Sequence, residues 1–393
     1  MQLKFSRLLE NIDNRNVGRE HNLMKVLIDL TSLVDNFSGI ERYAASLSFE
    51  MIKDNSNEYI LVFKNEIHPI FIEDQKKTNI QMVVIPGCNK LIFNQFRLPI
   101  EIYKYNADWY LFLSFPVPLL LLKKNMVSTI HDICCWDCPE TMNGMSKWYF
   151  RVSHRIALLK CRGIITISKF SEDRIVDKLK YSREKIWLVY CGVDKKKLIY
   201  KIDMQDKIKE KYKLPDNYLL SLSTIEPRKN LRLLVEAYRC LVLNKEVDLP
   251  LVLAGRKGWK MDELLSGIED VVKERILFTG FIDDEDLSYI YGGADLFVFP
   301  SMYEGFGIPP LEAMACGTVV ISSDATSLPE VLGEAAIYFE NKNQWSLEEK
   351  IQVGIKLTDL EKLQYIKKSQ KQQQKYSWRK EADKLLCFMN DKI

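Results

Sequence analysis

Short apolar runs alternate with amphipathic stretches along this chain, and the alternation happens twice. In the first half KVLIDL, YILVF, MVVI, WYLFL, MVSTI, GIITIS and KIWLVY read as strands, with helical periodicity between several of them, notably in ERYAASLSFEMIKD and MSKWYFRVSHRIALLKC. After a lysine-rich, weakly apolar stretch from about 195 to 215, the pattern restarts with YLLSLS, PLVLAG, RILFTG, LFVFP, TVVISS and AIYF. Strands that are apolar along their whole length, separated by helices, imply α/β units with parallel sheets. A length of 393 residues exceeds one typical core and suits two such units with a cleft between them. The expected division is a polar N-terminal tail over 1–23, a Rossmann-like domain over 24–195, a linker over 196–215 and a second Rossmann-like domain over 216–370. Helices follow from 343 onward, in which KKSQKQQQKYSWRK reads as a solvated helical face or a connection. Met24, at the head of KVLIDL, is an alternative start.

Composition narrows the partners. The 56 Lys and Arg nearly balance the 53 Asp and Glu, which does not suggest a nucleic-acid surface. The longest apolar run, LFLSFPVPLLLL at 111–122, is short of the roughly 18 residues of a membrane span and is broken by Pro116 and Pro118. The nine cysteines follow no disulfide framework and no apolar leader opens the chain, so reduced thiols and a cytoplasmic location are expected. Aromatic and basic residues in LIFNQFRLPIEIYKYNADWY fit a core strand with its flanking loop, or a sugar-binding or membrane-facing surface.

Ligands of doubly wound sheets bind beyond the carboxyl ends of the strands, so motifs there carry weight. In YEGFGIPPLEAMACG, the loop after LFVFPS holds Glu304, Gly305, Phe306 and Gly307. The prolines then open a helix that carries Glu312 and stops at Gly317. Such glycines let backbone amides approach a ligand, and the helix N-terminus favours an anion such as a diphosphate. Each carboxylate can accept two hydrogen bonds from sugar or ribose hydroxyls. The bland reading is a tight loop with surface glutamates. In LSTIEPRKNLRLLVEAY, Arg228 and Lys229 precede an amphipathic helix for which Asn230 is a suitable N-cap, a phosphate-binding arrangement if it is not merely a basic loop.

These two stretches together identify the chain as a member of the retaining nucleotide-sugar glycosyltransferases of family 4, with the GT-B fold. The order and spacing of the two glutamates, and the run CGTVVISSDATSLPEVLGEAAIYF after them, resemble that family's donor site; EPRK resembles its diphosphate-binding segment. The resemblance covers about 24 to 390. It implies two Rossmann-like domains facing each other across a cleft, with a last helix over 371–393 crossing back to the first domain. By match, Lys229 holds the donor diphosphate, Glu304 orients the sugar and Glu312 the ribose. An arginine common in the family is Ser223 here, so the second positive charge falls to Arg228, to Arg256 or to nothing. LVLAGRKGW is also family-like.

In the first half, Gly39 and Arg42 in FSGIERYAASL stand where the family approaches the phosphates. His131 in STIHDICCWDC ends an apolar strand, where the family commonly has a histidine near the donor sugar and the reaction centre. His131, Cys134, Cys135 and Cys138 are possible metal ligands, but no second ligand pair appears, and no metal is expected. A helix cap explains Ser168, although the family often has a similar S-x-x-S where Ser168 and Ser171 stand, and Gly192 in CGVD suits an interdomain turn. The implied reaction moves a sugar, with retention, from a GDP- or UDP-sugar to a saccharide or lipid-linked acceptor in cell-surface polysaccharide synthesis, without further cofactor. GDP-mannose leads on the form of EPRKN and GRKGW. Peripheral association with the inner membrane face is a further expectation. The alternatives are a non-catalytic nucleotide-sugar or glycan-binding subunit and a GT-B sugar-nucleotide epimerase.

Overall fold

The computed structural model describes residues 23–34, 39–87, 92–194, 198, 204–256 and 261–391. The tail expected over 1–23, apart from Leu23, lies outside the described residues. So do most of the linker before 204 and the Lys257–Trp259 part of LVLAGRKGW.

Each of the thirteen apolar runs forms one strand. β1 (Lys25–Asp29), β2 (Glu58–Lys64), β3 (Ile80–Ile85), β4 (Trp109–Phe112), β5 (Met126–Thr129), β6 (Gly163–Thr166) and β7 (Ile186–Leu188) make one sheet in the order 3-2-1-4-5-6-7. β8 (Leu219–Leu222), β9 (Leu251–Ala254), β10 (Ile276–Gly280), β11 (Leu296–Phe299), β12 (Val319–Ser323) and β13 (Ala336–Phe339) make the other in the order 10-9-8-11-12-13. Every pairing is parallel, with Val26 opposite Trp109 and Leu296 opposite Leu219 where each order reverses. β4, β6 and β11 are buried at every position, as a sheet covered on both faces demands.

Six helices carry the rest of the description. α1 (Gly39–Met51) buries Tyr43, Ala44, Leu47 and Met51, one face of a 3.6-residue period. α2 (Gly144–Lys160) starts on Asn143, whose side chain accepts from the Ser146 amide, and α3 (Lys169–Leu179) on Ser168, which accepts from that of Ser171. α4 (Leu231–Leu243) buries Leu231, Leu234, Val235, Tyr238 and Leu241. α5 (Ile308–Ala315) follows Gly307, and its end is turned by Gly317 at φ 84°. α6 (Trp378–Asn390) is the last.

Three local expectations need correction. Asn230 does not cap α4: it sits at φ 54° with no side-chain cap, because a 3₁₀ turn over Pro227–Lys229 precedes the helix and the chain must reverse between the two. Asparagine tolerates that left-handed conformation better than most residues. The segment 92–103, expected as the loop flanking a strand, is helical, while the strand itself begins at Trp109 as WYLFL implies. KKSQKQQQKYSWRK is not simply solvated, since Ser369, Gln372, Gln373, Tyr376 and Trp378 are buried. Gln372 donates to the Val331 carbonyl at 2.8 Å and the Tyr376 hydroxyl to that of Glu330 at 3.1 Å, so these two polar side chains are satisfied inside.

That glutamine-rich stretch brings α6 onto the first sheet's side of the molecule. Trp378 meets Tyr43 of α1 edge-on at 5.8 Å, Phe388 stacks on Trp187 at 5.7 Å, and Glu381 accepts from the Tyr190 amide at 3.0 Å. A Cβ at Gly192 would lie 2.3 Å from the Trp378 nitrogen, which is why glycine stands there.

Candidate functional site

Strand order reverses between β1 and β4 and again between β8 and β11, and a crevice opens beyond the carboxyl ends at such points. A cavity of about 420 Å³ lies there between the two halves. All nine candidate residues, Gly39, His131, Arg228, Lys229, Glu304, Gly305, Phe306, Gly307 and Glu312, line it, and so do Arg42, Ser223 and Arg256.

Glu304 is the hub. Its buried carboxylate accepts from the Lys229 ammonium at 2.6 Å, the Ser301 hydroxyl at 2.6 Å and the Arg228 guanidinium at 3.1 Å. Burial alone would raise this carboxyl, but Lys229 and Arg228 outweigh it and hold the group at about 2. Arg228 also donates to the Tyr303 carbonyl at 2.7 Å and to Glu226 at 2.9 Å. Burial opposes its charge, yet Glu304, Asp132 and Glu226 together keep it above the usual arginine value. Burial and then the neighbouring Arg228 lower the Lys229 ammonium, against the pull of Glu304. Two cations thus converge on one carboxylate at the carboxyl ends of β8 and β11. The Arg256 guanidinium lies 4.8 Å over the Phe281 ring.

The loop beside them is fixed through the segment after β12. The Glu304 amide donates to the Thr326 hydroxyl at 3.0 Å, and the Ser327 hydroxyl reaches the Glu304 and Phe306 carbonyls at 2.9 and 3.0 Å. Because Pro309 and Pro310 carry no N–H, donors at this end of α5 come from Ile308 and the loop amides. Phe306 lines the cavity, and its ring packs on Tyr376 at 5.3 Å and Tyr190 at 6.2 Å.

Glu312, on α5, accepts from the Tyr291 hydroxyl at 3.0 Å, and the Arg42 Nε stands 4.0 Å from its other oxygen. Burial raises its carboxyl above the usual value despite both partners. Arg42 comes from α1 in the other half and donates to Asp284 at 2.6 Å. His131 follows β5, its Nε2 3.0 Å from the Leu113 carbonyl and its ring edge-on to Tyr43 at 5.1 Å. Burial lowers it to about 4, so it is neutral at pH 7; Nε2 carries the proton and Nδ1 the lone pair. His131 and the cysteines after it do not converge: Cys134 faces Thr141 at 3.5 Å and Cys135 faces His154 at 3.8 Å. Among the described residues no group of three or more ligand side chains is placed to hold a metal.

The halves meet around the cavity. A Cβ at Gly305 would lie 2.6 Å from the His131 carbonyl oxygen, so only glycine lets this loop touch the first half. The Tyr303 hydroxyl donates to Asp137 at 3.0 Å, and Glu330 accepts the amides of Lys169 and Phe170 at 2.7 and 2.9 Å, capping α3 from across the cleft.

Two family descriptions divide the chain between them: Glycosyltransferase Family 4 matches residues 37–197 and Glycosyl transferases group 1 matches residues 203–373. The chain belongs to the group 1 glycosyltransferases. As a group 1 glycosyltransferase it has the GT-B arrangement of two Rossmann-like units across a cleft. The crystal structure of Anabaena HepE in complex with UDP and glucose superposes with a TM-score of 0.71 at 15% identity, covering 94% of this chain and 100% of that one. Among relatives, O-antigen chain mannosyltransferase B of Escherichia coli is 38% identical over 213 residues, 54% of this chain and 56% of that protein. O-antigen chain mannosyltransferase RfbU of Salmonella typhimurium is 30% identical over 231 residues, 58% of this chain and 60% of that protein. The matches thus span little more than half the length of these relatives.

Several residues of the site escaped sequence reasoning. Ser301 was within reach, three positions before Glu304 at the end of an apolar strand. Tyr291 and Asp284 carry no local signal; only the fold sets them beside Glu312 and Arg42.

Proposed function

We propose that this group 1 glycosyltransferase transfers mannose from GDP-mannose to a saccharide or lipid-linked acceptor, with retention at the anomeric carbon. The observation that carries the reading is the convergence of Lys229 and Arg228 on Glu304 beside the N-terminus of α5. In the proposed complex the two cations face the donor diphosphate and stabilise the charge that grows on it as the glycosidic bond breaks. Arg228 supplies the second positive charge that Ser223 cannot. Glu304, ionised at any physiological pH, accepts the sugar hydroxyls, and Glu312 accepts those of the ribose. Neutral His131 offers Nδ1 as an acceptor near the sugar rather than a second cation. The leaving diphosphate takes up the acceptor proton, consistent with retention without a protein nucleophile.

Mannose is favoured by the O-antigen mannosyltransferases among the relatives. The test is transfer from GDP-mannose to mannose-terminated acceptors, with the new linkage read by carbon–proton coupling. An α-linked product is expected; a β-linkage overturns retention, and transfer only from UDP-sugars overturns the donor assignment.

A further inference from the structure

We propose that Tyr303 is a positioning residue: its hydroxyl, seated in a socket of the first half, sets where Arg228 of the second half stands toward the donor diphosphate, which rests on the sugar-transfer reading for what Arg228 faces. Tyr303 comes one position before Glu304 and is buried, 3% exposed. Its ring meets Phe170 of α3 edge-on at 5.8 Å, and its hydroxyl donates to Asp137 at 3.0 Å. Asp137 ends the short helical turn Cys134–Asp137 that follows His131. Arg174 of α3 holds that carboxylate through two nitrogens, Nε at 2.8 Å and Nη2 at 2.6 Å. Asp137, Arg174 and Phe170, all of the first half, thus receive a side chain from the loop after β11. The socket is itself tied to the second half, where Glu330 accepts the Phe170 amide at 2.9 Å.

The backbone of Tyr303 bears on the site. Its carbonyl accepts from Arg228 Nη1 at 2.7 Å, and the same nitrogen donates to one Glu304 oxygen at 3.1 Å. Lys229 reaches the other oxygen of that carboxylate. The Met302 amide returns a bond to the Arg228 carbonyl at 2.9 Å, so residues 302–304 and Arg228 are joined in both directions. The guanidinium therefore stands where the Tyr303 backbone puts it, and the Tyr303 side chain is anchored in the opposite half. The hydroxyl serves neither half alone. Within the first half, Asp137 and Arg174 already form a two-pronged, charge-assisted pair, and the carboxylate has lone pairs to spare. Within the second, a phenylalanine would bury as much ring; a tyrosine adds a hydroxyl that must find a partner, and that partner lies 166 positions away across the cleft. Removing the hydroxyl leaves Asp137 paired, so the loss falls on the link between socket and site rather than on either fold.

The test compares Tyr303→Phe with the native full chain, reading GDP release from saturating GDP-mannose with a mannose-terminated acceptor and, by calorimetry, donor binding without acceptor. A kcat about tenfold lower is expected, with a donor Kd within about threefold and an unchanged melting midpoint. Asp137→Ala should reproduce the loss, and Asp137→Asn, which keeps an acceptor oxygen, should restore part of it. Arg228→Lys keeps a cation but not the fork that spans the Tyr303 carbonyl and Glu304, so in that background Tyr303→Phe should cost less than about twofold. Undiminished kcat, or the full loss again in the Arg228→Lys background, would overturn the proposal. So would a loss matched by weaker donor binding and a lower melting midpoint, which would make Tyr303 a tether alone. Hydrogen exchange of the ligand-free chain tests the socket apart from the chemistry: amides over 301–307 should exchange about tenfold faster in Tyr303→Phe, and equal rates would overturn it. A native chain that neither binds nor cleaves GDP-mannose would sink that donor assignment, while the exchange rates still decide whether the socket holds the loop.

Discussion

Lys229 and Glu312 both line the cavity, but they stand at different chemical stations, and kinetics should separate them. On the proposed reading, Lys229→Ala removes a cation that faces the leaving diphosphate and should lower kcat by about 10²–10³-fold. On the same reading, Glu312→Ala removes a ground-state contact to the ribose and should act mainly through the donor KM. Equal and small effects in steady-state assays would contradict both roles. Acidity offers a second test. His131 and His154 are each held near 4 by burial, against 6.5 unfolded, so below pH 6.5 the unfolded chain binds protons that the folded chain refuses. Their contribution to stability is present above pH 6.5 and is lost as pH falls toward 4, by roughly 3 kcal/mol each. Urea midpoints from pH 7 to 4.5 should fall, and less steeply in His154→Asn; parallel curves would sink the assignment. At this scale, residues whose chemistry is announced by their neighbours in sequence were legible. Glu304, Gly305 and Gly307 share one loop, and Arg228 and Lys229 stand side by side. Tyr291 and Asp284 were not, since their meaning depends on contacts 21 and 242 positions away.

The loop after β11 shows what an element contributes beyond its side chains. Its amides sit at the start of α5, its hydroxyl partners lie after β12, and Gly305 presses against the His131 carbonyl. Gly305→Ala should therefore force the halves apart without touching a catalytic side chain. Turnover at least tenfold lower, with a larger radius of gyration by solution scattering, is expected; native turnover would show that this approach does not matter. The strands were readable because a parallel sheet buried on both faces writes continuous apolar runs, as in LFVF and GIIT. Asn230 was misread, and the glutamine-rich stretch proved to be a connection rather than a solvated face, for a shared reason. Both are polar segments whose conformation is set by what they connect, a 3₁₀ turn to a helix in one case and the two halves in the other.

For the whole molecule, two similar sheets place their switch points opposite one another, and the polar contacts between the halves ring the cavity. Arg42 with Asp284, Tyr303 with Asp137, and Glu330 at the start of α3 each join one half to the other. A partly solvated pair such as Arg42 with Asp284 contributes about 1 kcal/mol or less, so it aligns the halves rather than locking them. The existence of two units was legible in the restart of the strand pattern after 215; which residues touch across the cleft was not, because nothing in either unit encodes the other's surface. The sugar-transfer reading is tested most directly by nucleoside diphosphate release from a panel of GDP- and UDP-sugars, with the native chain beside Glu304→Ala. Release from GDP-mannose, lost in the variant while donor binding and fold persist, is the predicted result. No release and no calorimetric binding with any donor, or release that survives the substitution, would contradict it.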